Sequence, residues 1–165
     1  MKTPITPLFI ITLVCSLLAC SNPKTETEDV AVAEESPTVE IEYLNPPDRK
    51  DMNLPFSEAV KVGNTLYLSG QIGMDYTTGA LAEGGIKAET DQTLKNIQKT
   101  LQRYGADIDD IVKCTIFLAD IEEWPLMNEA YVPFFTKHFP ARSAMAGSGL
   151  AMGARVEIEC IAVIK

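Results

Sequence analysis

Three groups of residues in this sequence could do chemistry. Arg142 lies in Phe139-Pro140-Ala141-Arg142-Ser143. A guanidinium keeps its charge and offers a rigid fork of donors that matches a carboxylate. Glu157 and Glu159 stand two apart, so on a strand they share a face. One could be solvated while the other sits partly buried beside Ile161, and a carboxyl group whose pKa is raised by burial can shuttle a proton. Ser69, in Ser69-Gly70-Gln71 at the end of an alternating run, could hold a water or a ligand. Each has a plainer alternative. Arg142 could be a solvated or salt-bridged surface residue. The glutamates could pair with Lys113 or Arg155 at an interface, and a serine at a strand end is commonly structural.

Other chemistries lack their residues. Gly147, Gly149 and Gly153 lie between two strands with the wrong spacing for a dinucleotide loop. There is no Gly-x-Ser-x-Gly elbow and no phosphate loop. His138 is the single histidine, and no cysteine pair has CxxC spacing, so no metal site is expected. The net charge of −9 opposes binding to a nucleic-acid backbone. Cys114 and Cys160 fall inside apolar strand patterns. They read as two buried free thiols, with a disulfide as the alternative in an exporting compartment.

The elements that must position these residues follow from periodicity. Thr38 to Leu44 alternates as a first strand, and Asn45-Pro46-Pro47-Asp48 breaks it. Ser57 to Val62 and Thr65 to Ile72 form two more strands around the two-residue turn Gly63-Asn64. Asp75 to Gly85 reads as a glycine-rich loop. Leu94, Ile97, Leu101 and Tyr104 recur at helical spacing and predict a helix over Lys87–Tyr104, with Gly105 after its end. Asp110 to Ala119 is a strand, and Glu123 to His138 a helix with Pro133 as a kink. Arg142–Ala146 and Ala154–Lys165 close the chain as strands. The order β-β-β-α-β-α-β-β is an α+β layout with two helices on one face of a mixed sheet.

Strand faces carry a further implication. Alternation gives one apolar face to each central strand: Leu66, Leu68, Gly70, Ile72; Val112, Cys114, Ile116, Leu118; Val156, Ile158, Cys160, Ala162, Ile164. Two helices suffice to cover it. The opposite face mixes Tyr67, Phe117, Ile161 and Val163 with Ser69, Lys113 and Glu159. That mixture suits a subunit interface with embedded polar sites and predicts an oligomer.

The N-terminus stands apart from the domain. Lys2 precedes an apolar run, Leu8 to Leu18, that fits a signal peptide and is too short to span a bilayer. The ending Leu17-Leu18-Ala19-Cys20 resembles the lipobox of bacterial lipoproteins, in which the peptide is cut before a cysteine that then carries lipid. An ordinary cleaved signal with an incidental cysteine is the alternative. Residues 1–19 are read as the signal peptide, Cys20 as the lipidation site, and 20–38 as an acidic flexible tether of low hydrophobicity. The domain is then residues 39–165. Loss of residues 1–19 removes Lys2 and no acid, leaving a net charge of −10. The chain is expected to be exported and lipid-anchored, on the periplasmic side of the outer membrane in a cell with two membranes.

Five stretches in order resemble the reactive intermediate deaminase A (RidA/YjgF) family over residues 39–165. They are Leu66-Tyr67-Leu68-Ser69-Gly70-Gln71-Ile72, Asp110 to Leu118, Met127-Asn128-Glu129-Ala130-Tyr131 with Phe134-Phe135, Phe139 to Ser143, and Gly153 to Val163. The resemblance implies a chorismate-mutase-like fold and a homotrimer with sites between subunits. It also implies cofactor-independent hydrolysis of enamine and imine acids such as 2-aminoacrylate to 2-keto acids and ammonia. By position, Arg142 would grip the substrate carboxylate, Glu159 with Ser69 would activate water and move the proton, and Asn128 and the Gly70 backbone would line the cleft. Phe56 stands where the family often has Tyr, and Ala144 where it often has Cys. The Leu-Pro-x-Gly turn of the family is Leu150-Ala151-Met152-Gly153 here. Two other functions stay open at this point: a non-enzymatic exported trimer that binds small carboxylates or acts as a holdase, and the ribonuclease activity attributed to some relatives.

Overall fold

The computed structural model describes residues 38–47 and 53–165. The expected signal peptide, Cys20 and the tether up to residue 37 lie outside the described residues. Six strands form one sheet in the order β1-β2-β3-β8-β6-β7, made of β1 (Ile41–Leu44), β2 (Ala59–Val62), β3 (Thr65–Ile72), β6 (Ile111–Leu118), β7 (Ala141–Ala146) and β8 (Val156–Val163). All neighbours are antiparallel except β6 and β7. A parallel pair needs a crossover, and α2 (Trp124–Tyr131) supplies it. The β2–β3 turn closes through Gly63 at φ 56, the left-handed conformation a two-residue hairpin demands. The segment expected as a loop after β3 contains a small separate hairpin, β4 (Met74–Asp75) with β5 (Ala80–Leu81).

The core lies between the sheet and α1 (Gly85–Arg103) with α2. Leu94, Ile97 and Leu101 bury against Leu66, Ile116, Ile158 and Ala162, so the helical and strand periodicities meet on one face. Gly105, at φ 80, follows the helix as the expected left-handed stop. Gly73 is a point of close approach. A Cβ there would sit 2.7 Å from both Cα and the carbonyl oxygen of Glu89, and that backbone cannot swing away. Gly73→Ala is expected to cost about 1–3 kcal/mol in denaturant unfolding. Gly147→Ala is the control, since its Cβ would meet only the Gly149 carbonyl at 3.9 Å.

Three sequence expectations need correction. In β3 the alternation holds only to Leu68. The pairing with β8 slips between Leu68 and Gln71, so Gln71 is buried (4% exposed) and Gly70 and Ile72 leave the core face. In β6 a second slip between Ile111 and Lys113 buries Ile111 and turns Val112 outward (47% exposed). A β-bulge inserts one residue and inverts the pleat beyond it. The second helix is far shorter than Glu123–His138. A 3-10 turn, Ile121–Glu123, leads into α2, which ends at Tyr131 and passes into a 3-10 turn over Val132–Phe134. Pro133 has no N–H and its ring conflicts with the carbonyl four residues back, so it ends the α-helix rather than kinking it. By contrast, β8 keeps strict alternation, with Val156, Ile158, Cys160 and Ala162 buried.

One buried charge anchors the β2 end of the sheet. Glu58 accepts from Arg103 Nη1 at 2.6 and 2.7 Å and from the Tyr104 hydroxyl at 2.8 Å. Burial first, and then the Glu58 carboxylate, push the Tyr104 phenol up to about 12 from its usual value near 10. The folded state therefore holds a proton that the unfolded chain releases earlier, and this contribution to stability fades as pH rises from about 10 to about 12. Tyr104→Phe is expected to flatten that part of the pH–stability curve. Denaturant midpoints measured between about pH 9 and 12 on both proteins check it.

Candidate functional site

Arg142 is built into a pocket of its own. Its partner in register on β6 is Cys114, a core residue, so its side chain leaves β7 on the helix face. There it lies 4.8 Å over the Tyr131 ring and 5.9 Å from the Trp124 ring, and its Nη1 donates to Asn128 Oδ1 at 2.7 Å. Trp124, Asn128 and Tyr131 are spaced i, i+4, i+7, which puts them on one side of α2. Among the described residues, the other guanidinium nitrogens make no hydrogen bond to protein. Their donors are left for a ligand, and the two aromatic faces favour a cation between them. Ala144 follows two residues along β7 on the same face, where its short side chain leaves room beside Arg142. Under this cation, the Tyr131 hydroxyl is buried without a hydrogen bond. Burial above all, with the Cys114 thiol beside it, pushes that phenol well above its usual range.

The acid candidates lie elsewhere. Glu159 pairs in register with Thr115, and Glu157 with Phe117, on the open face of the sheet. Glu159 borders a small cavity of about 140 Å³ with Tyr67, Lys113 and Thr115. Neither glutamate has an ion-pair partner among the described residues. Lys113 donates to Ser143 Oγ at 2.8 Å, and Arg155 pairs with Glu123, so the two cations suggested as their partners are engaged otherwise. Ser69 donates its hydroxyl to the Ser57 carbonyl at 2.6 Å. It thus clips β3 to the segment before β2, and its lone pairs can still accept from a water.

Gly70 and Phe56 both line a cavity of about 570 Å³, with Met74, Tyr76, Met152 and Glu157 on its walls. A Cβ on Gly70 would lie 2.0 Å from Glu157 Oε1, so the absent side chain lets that carboxylate lie against the backbone. The bulge makes this contact, because it turns residue 70 toward the open face. Size does not make this cavity the reaction centre. The donor fork of Arg142 and the Glu159 carboxylate both lie outside it.

Within one chain the predicted residues fall into separate groups: Arg142 with Asn128 and Ala144; Glu159; Ser69; and Gly70 with Phe56. Strands β8 and β6 separate β3 from β7, three inter-strand steps of roughly 4.8 Å each. Arg142 and Glu159 also leave the sheet on opposite faces. Sequence reasoning missed Trp124 and Tyr131, although their helical register with Asn128 was a usable signal. It also put Glu157 on a par with Glu159, without its contact to Gly70. Among the described residues, no three His, Cys, Asp or Glu side chains gather as metal ligands.

A family model described as endoribonuclease L-PSP matches residues 48–164. The human protein named 2-iminobutanoate/2-iminopropanoate deaminase is 45% identical over 109 residues, covering 66% of this chain and 80% of that protein. The protein of the same name from Dermatophagoides farinae is 43% identical over 111 residues, 67% of this chain and 87% of its own length. Among solved structures, RidA from the Antarctic bacterium Psychrobacter superposes with a TM-score of 0.65 at 35% identity, over 77% of this chain and 98% of that one. The YjgF gene product of E. coli superposes with a TM-score of 0.64 at 35% identity, over 67% and 89%.

Proposed function

The chain belongs to the RidA/YjgF (endoribonuclease L-PSP) family, and on that premise we propose that it hydrolyses 2-imino acids and their enamine tautomers to 2-keto acids and ammonia. The observation that carries this is Arg142, held by Asn128 and walled by Trp124 and Tyr131 with the rest of its fork open. An imino acid brings a carboxylate to that fork. Its C2 carbon is then the electrophile. Glu159 takes a proton from the attacking water and returns it to the nitrogen, ammonia departs, and the carbonyl closes. The balance is one imine and one water to one keto acid and one ammonia, so no electron carrier is required. Ser69 accepts from the water, the Gly70 backbone and Phe56 border the substrate, and Ala144 leaves space beside the carboxylate. The name endoribonuclease is not carried to this chain, because a net charge of −9 opposes RNA.

The active assembly in this proposal is a homotrimer. Arg142 and Glu159 of one chain face away from each other, so each meets its complement on a neighbouring copy. The open sheet face supports this, since it exposes Tyr67 (46%) and Met145 (51%) around the polar groups. The N-terminal reading joins the same proposal: Leu17-Leu18-Ala19-Cys20 supports export and lipid attachment at Cys20, with residues 20–38 as the lipidated cysteine and tether. The test uses soluble protein lacking residues 1–20. An amino-acid oxidase generates imino acids in situ, and the imine signal is followed. The expected result is faster decay in proportion to added protein. No acceleration across a panel of imino acids, from a protein that is trimeric in solution, would favour the carboxylate-binding alternative.

A further inference from the structure

Cys114 and Cys160 are directly opposite each other across the antiparallel β6–β8 pair. Their Sγ atoms lie 2.9 Å apart, and both residues are buried. Opposed antiparallel residues have Cα separations of about 4.5 or 5.5 Å, and both fall inside the range a disulfide spans. We propose that this pair is a modification site at which an intramolecular disulfide joins β6 to β8 when the chain meets a disulfide oxidant.

The chemistry balances with a low-molecular-weight disulfide as co-reactant. The Cys114 thiolate attacks one of its sulfurs and expels a thiolate, forming a mixed disulfide. Cys160 then attacks the Cys114 sulfur and expels the second thiol. Two protein thiols are oxidised, one external disulfide is reduced, and the two protons leave on the released thiols. The surroundings assign the order. The contact with the Cys160 thiol draws the Cys114 thiol below its usual range against the opposing effect of burial, helped by the charges of Arg142 and Lys113. The same contact and deep burial push Cys160 well above it. Buried sulfurs are reached through local opening of the folded chain, where this order holds, or during folding before the core closes, where either sulfur can react first. The bond also lies next to the site. Cys114 is the register partner of Arg142 and the neighbour of Tyr131, whose ring supports that arginine.

The experiment uses the full chain carrying Cys15→Ser and Cys20→Ser, so that only this pair remains. It is unfolded under reducing conditions, refolded in a glutathione buffer rich in the oxidised form, and alkylated in denaturant. The expected protein takes no label, lacks the mass of two hydrogens, and yields a linked peptide joining residues 114 and 160. It melts roughly 10 °C higher than after reduction, because the bond closes a long loop in the unfolded chain. Cys160→Ala removes that difference and leaves Cys114 to be alkylated. The linked peptide needs no variant, so the test survives if Cys160→Ala folds poorly. Two labelled thiols, or a linked protein that melts no higher than the reduced one, overturns the proposal.

Discussion

Replacing Arg142 by alanine is expected to lower kcat/KM for 2-imino acids by roughly 30- to 5,000-fold. Truncating one member of a desolvated, hydrogen-bonded charge pair costs about 2–5 kcal/mol, and each 1.4 kcal/mol is tenfold in rate. The effect falls on every imino acid alike, since the carboxylate is common to all. Arg142→Lys keeps the charge but loses the fork, and should recover only part of the loss. Asn128→Ala leaves the cation but frees its orientation, with an expected loss of about tenfold. Imine decay kinetics check all three. The fold should survive each change, because β7 is an edge strand and Arg142 is only half-buried. Unchanged turnover in Arg142→Ala would falsify the proposed carboxylate grip.

The second expectation concerns two variants that should be inactive alone. Arg142→Ala lacks the clamp, and Glu159→Gln lacks the proton carrier, for an expected loss of about 10²–10⁴-fold. Unfolded together in equal amounts and refolded, they form mixed assemblies. If each site takes Arg142 from one copy and Glu159 from another, about a quarter of sites receive both intact residues. The mixture should then show about a quarter of the native activity. A site built within one chain predicts none, since every chain in the mixture carries a lesion. Recovery of activity thus reports directly on how the opposite faces of β7 and β8 are brought together.

Much of this fold was legible because the sheet has a single covered face. Val156, Ile158, Cys160 and Ala162 alternate without interruption, and β8 is regular. The turn at Gly63 declared itself through its glycine. The two bulges were not legible, since one inserted residue changes the face of those that follow without changing their types. Gln71 and Ile111 were therefore assigned to the wrong face. Pro133 marks an interruption in the sequence, but whether a proline bends a helix or ends it depends on the chain beyond, which here turns Phe134 and Phe135 onto the core through a 3-10 turn. The chemistry was legible by type rather than by place. Arg142, Ser69 and Glu159 were singled out from their chemistry and motif, while their dispersal within one chain depends on strand order, which periodicity does not encode. Trp124 and Tyr131 looked like ordinary helix apolar residues, and only the cation between them reveals a second use.

The placement of Arg142 on β7 carries a cost in solubility. Among the described residues that strand has β6 on one side and no strand on the other, and most of its residues are exposed. From Ser143 to Ala146 they are Ser, Ala, Met and Ala, with no proline, lysine or acid to discourage another strand from docking. Outside the proposed trimer, a single copy therefore presents an open backbone ladder beside its own clamp. Dilution or a damaged interface should then favour clumping over a quiet pool of single copies, and loss of turnover and loss of soluble protein should proceed together.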